Sequence, residues 1–183
     1  ERERRGWHFA MDQALRAGNT QAIRELDAIA PYAAPGQPIP LQDLYVQRKW
    51  LGEYGGAVAY RDGFGAEIAA VALSPEYTVA DLAKMWEGNA LSAGKLLEEV
   101  VTIDWTDVTR FEIPVVIFNG RHDRNASASV AAEWFERVQA PSKAMVWFEH
   151  SAHEMFNEEP GKFLVCLVQH LPPSAASAGD VPP

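Results

Sequence analysis

Apolar residues recur at helical spacing from the start of the chain. Trp7, Met11, Ala14 and Leu15 share one stripe, Gly18-Asn19 ends it, and Thr20 is placed to cap a second helix whose apolar face is Ile23, Leu26 and Ile29 before Pro31 closes it. The segment from Ala33 to Pro40 holds Pro35, Gly36, Pro38 and Pro40, so it is expected to be an exposed crossing loop rather than helix. A third helix is expected from Leu41 to Tyr54, interrupted by Gly55-Gly56. Three short helices are then predicted at Ile68 to Leu73, Val79 to Trp86 and Leu91 to Val100, the middle one capped by Thr78 with Asp81 in its first turn.

The period changes after Phe111. Ile113 to Phe118 is a run of β-branched and aromatic residues ending at Asn119-Gly120, the pattern of a strand buried on both faces. An amphipathic helix is expected at about Ser127 to Val138, with Val130, Trp134 and Val138 on one stripe. A second apolar strand follows at Ala144 to Phe148, then a helix carrying Phe163, Leu164, Leu167, Val168 and Leu171. Strand, helix, strand, helix predicts parallel neighbours, hence an α/β fold. Pro172-Pro173 is expected to end the order and leave residues 173–183 as a disordered tail.

Composition narrows the partners. The chain has 183 residues, 48% of them hydrophobic, enough for a real core. Sixteen Lys and Arg against 25 Asp and Glu give a net charge of −9, which disfavours nucleic acid and anionic membrane surfaces. No apolar run reaches the length of a membrane span and no signal-peptide core follows the charged start, so a cytoplasmic location is expected. The lone Cys166 cannot form an internal disulfide and is expected to be a small buried hydrophobe.

Catalysis in parallel α/β sheets gathers at the carboxyl ends of strands. The loop after Phe118 reads Asn119-Gly120-Arg121-His122-Asp123, and the loop after Phe148 reads Glu149-His150-Ser151-Ala152-His153-Glu154. Asp123 and His153 therefore leave neighbouring strand ends, one helix and one strand apart. A carboxylate that accepts from one imidazole nitrogen fixes the tautomer and leaves the other nitrogen to take a proton from a nucleophile. Either residue taken singly serves equally as a helix cap or turn filler; the pair at matched strand ends points to chemistry. His122 and His150 are read as local hydrogen-bonding or exposed residues.

The stretch Phe111 to Pro160 resembles the terminal part of α/β-hydrolases of the proline iminopeptidase-like group. Gly120 to Asp123 matches the acid turn, Ala140-Pro141-Ser142-Lys143 a helix-to-strand turn, Phe148 to His153 the histidine loop, and Glu158-Glu159-Pro160 the start of the last helix. Upstream, Gly18 to Leu26, Arg48 to Gly56 and Ser74 to Thr78 resemble the helical cap of the same group. One departure is Asn125-Ala126-Ser127, where such proteins more often carry a Thr-Pro turn.

The resemblance implies a helical cap over residues 1–110 and the last two parallel strands of the catalytic domain over 111–172. Asp123 and His153 would be the acid and base of a triad whose nucleophile and oxyanion hole lie upstream. No G-x-S-x-G elbow precedes the cap; the nearest match, Ala90-Leu91-Ser92-Ala93-Gly94, follows helix rather than strand, and Ser92 reads as a helix N-cap. The chain is therefore expected to be the C-terminal half of a serine hydrolase acting on a small ester or peptide. It should need no cofactor or metal, be inactive alone, and pair through an open strand edge with its upstream half or with another copy. Two other readings stand beside it: an epoxide hydrolase or dehalogenase type with an upstream aspartate nucleophile, and a non-catalytic interaction module. Trp7, Trp50, Tyr54, Tyr60, Tyr77 and Trp86 fit either an apolar pocket wall or simple core; in aminopeptidases of the resembling group an acidic cap residue holds the substrate amine, for which Glu53 and Glu87 are candidates that no motif separates.

Overall fold

The computed structural model describes residues 1–34 and 37–177, with backbone alone for 171–177. Pro35 and Gly36 of the expected crossing loop, and residues 178–183 of the expected tail, lie outside the described residues.

Three helices make the first packed unit: α1 (Arg2–Ala17), α2 (Thr20–Ala28) and α3 (Leu41–Glu53). Ala10, Ala14, Ala22, Leu26 and Trp50 are buried at their centre, with Trp7, Met11, Ile23 and Val46 packed around them. Alanines at the contact let the helix axes approach closely, and the two indoles fill the remaining volume. Each indole N–H is satisfied: Trp7 donates to the Leu26 carbonyl at 3.1 Å and Trp50 to Glu25 Oε2 at 2.9 Å. The cap of α2 is Asn19, one residue before Thr20, its side chain accepting from the Ala22 amide at 3.1 Å.

Beyond it lie α4 (Gly65–Ala72) and α5 (Val79–Val100). The Thr78 and Asp81 capping box forms at the start of α5. The expected break between Trp86 and Leu91 does not occur, because Gly88 and Asn89 weaken a helix without stopping it while good helix formers continue on both sides. Ser92 thus sits mid-helix and exposed, with neither cap nor elbow geometry.

The two strands, β1 (Val115–Gly120) and β2 (Lys143–Phe148), pair in parallel, Val115 opposite Lys143 through Gly120 opposite Phe148. Pairing starts two residues later than the apolar run because Pro114 has no amide to give the ladder, and Ile113 is left exposed. Between the strands runs α6 (Ala128–Arg137). After β2 come α7 (Met155–Glu158) and α8 (Pro160–Ser177). α8 runs through Pro172-Pro173 as far as Ser177.

Among the described residues the sheet has two strands, so each keeps an open edge and Val115 to Phe118 are half-buried rather than buried on both faces. Cys166 is likewise only half-buried, and Leu164, Val165 and Val168 of α8 are exposed, because α8 covers the strands with one side only. Phe118, Phe148 and Phe163 interlock beneath it. No helix among the described residues is long and apolar enough to cross a membrane.

Candidate active site

β1 and β2 end side by side, and their carboxyl ends bring the two predicted side chains together. Asp123 Oδ2 lies 2.9 Å from His153 Nδ1. The Asp123 side chain is buried, 5% exposed, while the imidazole side chain keeps 39% of its surface. Asp123 Oδ1 accepts the Ala126 amide at 2.8 Å, and the Asp123 carbonyl accepts the Ala128 amide at 2.9 Å. One side chain therefore closes the Asn125-Ala126-Ser127 turn and faces the histidine at once, which is how the turn is made without a proline. Asn119 braces it, its amide donating to the Ala128 carbonyl at 3.1 Å.

The acid loop and histidine loop cross at Gly120. A Cβ there would overlap the Ala152 carbonyl and come within 2.7 Å of the Ser151 carbonyl oxygen, so only glycine allows the crossing. The segment 55–60 then ties both loops down. Gly56 O accepts the Arg124 amide at 2.8 Å, and Ala57 O accepts the His153 amide at 2.9 Å. Gly56 is itself a close approach, since a Cβ would sit 3.0 Å from Arg124 Cβ and Leu51 O.

The Asp123 hydrogen bond raises the His153 pKa above its ordinary value near 6.5, and partial burial opposes this without reversing it. The protonated ring is the better-bound form. The stability the pair adds is thus fully present below about pH 6.5 and is lost as pH rises through the folded-state pKa. A ring acting as base must be neutral, so any activity should rise through that same elevated pKa. NMR titration of the His153 ring should give a midpoint above 6.5, falling in Asp123→Asn.

Among the described residues no side chain hydrogen-bonds the other ring nitrogen of His153. Of the two histidines beside the pair, His122 Nε2 meets Tyr60 Oη at 3.0 Å and the Glu149 carbonyl at 3.1 Å, and His150 is exposed. A cleft of about 400 Å³ has Glu53, Tyr54, Tyr60, Arg61, His122 and Arg124 in its walls. Another of about 650 Å³ has Glu67, Tyr77, Glu154 and Asn157 in its walls, and neither Asp123 nor His153 lines either cleft. Tyr54, Tyr60 and Tyr77 border these clefts, whereas Trp7 and Trp50 belong to the helical core and Trp86 is exposed on α5. Glu53 lies on the first cleft; Glu87 is exposed on α5 and lines neither.

Sequence reasoning missed the role of the Glu158-Glu159 pair. Glu159 Oε2 accepts the Ser151 hydroxyl at 2.7 Å and the His150 amide at 3.0 Å, and Glu158 grips the other side of the loop. The signal was present as two consecutive carboxylates beside a loop whose amides have no strand to pair with.

No family model matches the chain, and no solved structure does. Among curated proteins it is similar to the probable aminopeptidase YbaC of Bacillus subtilis, with 30% identity over 96 residues, 52% of this chain. The match spans 30% of that relative's length, so the two share a stretch rather than a whole protein.

Proposed function

We propose that this chain carries the acid and the base of a serine hydrolase of the α/β-hydrolase fold, acting on an N-terminal peptide bond or a small ester, with its nucleophile on an upstream segment. The observation that carries the reading is the 2.9 Å contact from buried Asp123 to a half-exposed His153 whose second nitrogen is left for another partner. Similarity to a protein named as an aminopeptidase supports the peptide side of it. In this mechanism the upstream serine hydroxyl gives its proton to His153 Nε2 and attacks the carbonyl carbon. His153 then hands that proton to the leaving amine or alcohol, and water repeats the sequence to release the acid. Asp123 keeps the Nδ1 proton in place and stabilises the imidazolium. The cap of residues 1–110, helices α1 to α5, would form the lid over the strand ends and keep bulk water from the acyl intermediate.

The test compares the 183-residue chain with the natural full-length protein on an aminoacyl anilide, its N-acetylated counterpart and an activated ester. The chain alone should stay at background, because this reading puts both the covalent route and the oxyanion donors upstream, a single such donor being worth about 2.7 to 4 kcal/mol. The full-length protein should turn over the anilide and lose that activity on acetylation. Turnover by the chain alone would place the nucleophile within it and overturn the reading.

A further inference from the structure

Glu158, the last residue of α7, reaches two segments far apart in the chain. Its Oε1 accepts the Ala59 amide at 2.6 Å; its Oε2 accepts the Ala152 amide at 2.9 Å and the Glu154 amide at 3.1 Å. Ala152 and Glu154 are the immediate neighbours of His153, whose own amide is held by Ala57 O. Three consecutive amides of the histidine loop are thus bonded, two to one carboxylate and one to the segment that carboxylate also grips. Ala59 and Ala152 are buried, so their amides have no water to fall back on. The same segment holds the acid side through Gly56 O and the Arg124 amide.

We propose that Glu158 is a positioning residue for His153: by clamping the amides on either side of it to the amide of Ala59, its carboxylate sets the imidazole at hydrogen-bonding distance from Asp123. Charged acceptors make shorter, stronger bonds than neutral ones, and a carboxylate offers lone pairs to three donors where an amide cannot. Glu159 has a separate task, since its carboxylate accepts from His150 and Ser151 at the entrance of the loop. The proposal rests on reading His153 as the base, but what it says about ring placement can be measured without activity.

The experiment uses the natural full-length protein and Glu158→Gln, in which one acceptor oxygen becomes an NH₂ that faces N–H donors. Glu25→Gln is the control, a carboxylate that binds Lys49 and Trp50 away from the loop. In Glu158→Gln the His153 titration midpoint should fall toward 6.5. The kcat should drop by about 10 to 100-fold, the scale of a displacement of 1 Å or less, with KM moving less than about threefold. Glu25→Gln should change neither. Glu158→Asp, with its charge kept one methylene short, should fall between parent and Glu158→Gln, and it is read the same way if Glu158→Gln does not fold. An unchanged His153 midpoint and kcat in the folded variant overturn the proposal, as does an equal loss in Glu25→Gln. If the parent shows no hydrolysis, the assigned reaction falls while the titration still decides the role of Glu158.

Discussion

Asp123→Asn in the natural full-length protein should lower kcat by on the order of 10⁴-fold while leaving the fold in place, and His153→Ala should bring turnover close to background. The geometry makes the asparagine variant unusually clear. Oδ1 accepts the Ala126 amide, so an asparagine must keep its carbonyl oxygen there and turn its NH₂ toward His153. That NH₂ donates to Nδ1, which drives the ring proton to Nε2, the nitrogen that has to be free to accept from a nucleophile. The wrong tautomer therefore follows from a backbone bond three residues along the chain. Steady-state kinetics beside thermal unfolding would check it. Loss of activity in step with loss of stability, or a kcat within tenfold of the parent, would contradict it.

Gly120→Ala should be the most damaging of the glycine substitutions. The new methyl overlaps the Ala152 carbonyl, which belongs to a fully buried residue with no room to retreat. Either β1 parts from β2 at its last pair or the histidine loop lifts, and both separate His153 from Asp123. Overpacking of this kind costs about 1 to 3 kcal/mol or more. Gly94→Ala makes the contrast, because nothing lies within 4 Å of its Cβ position in α5. It should be neutral or stabilising by up to about 1 kcal/mol, the propensity difference between the two residues in a helix. Denaturant midpoints measure both. A Gly120→Ala protein as stable as its parent would mean that the two loops do not cross at this point.

The parts readable from the chain were those with periodic or chemical signatures. Two apolar runs with a helix between them predicted parallel strands, and their ends placed Asp123 and His153 at one edge. Departures came where a local rule met a neighbour that the pattern does not encode. Gly88 and Asn89 read as a break, yet nothing there forces the backbone out of the helix, and Ser92 lost its apparent cap. Pro114 shifted the strand because hydrogen-bond donors, not apolarity, set where a ladder begins. Least visible was the clamp by Glu158. Side-chain bonds to distant backbone amides have no spacing rule, and the amide of Ala59 lies 99 positions away from its acceptor.

The central claim, that His153 activates a serine lying outside these 183 residues, is tested most directly by labelling the natural full-length protein with a serine-directed phosphonate and mapping the adduct. The account predicts one equivalent per chain on a serine upstream of Glu1, and loss of labelling in His153→Ala. An adduct on Ser92 or any other serine of this chain would contradict it, and so would a protein that hydrolyses its substrate yet takes up no phosphonate, which would move the nucleophile to a carboxylate.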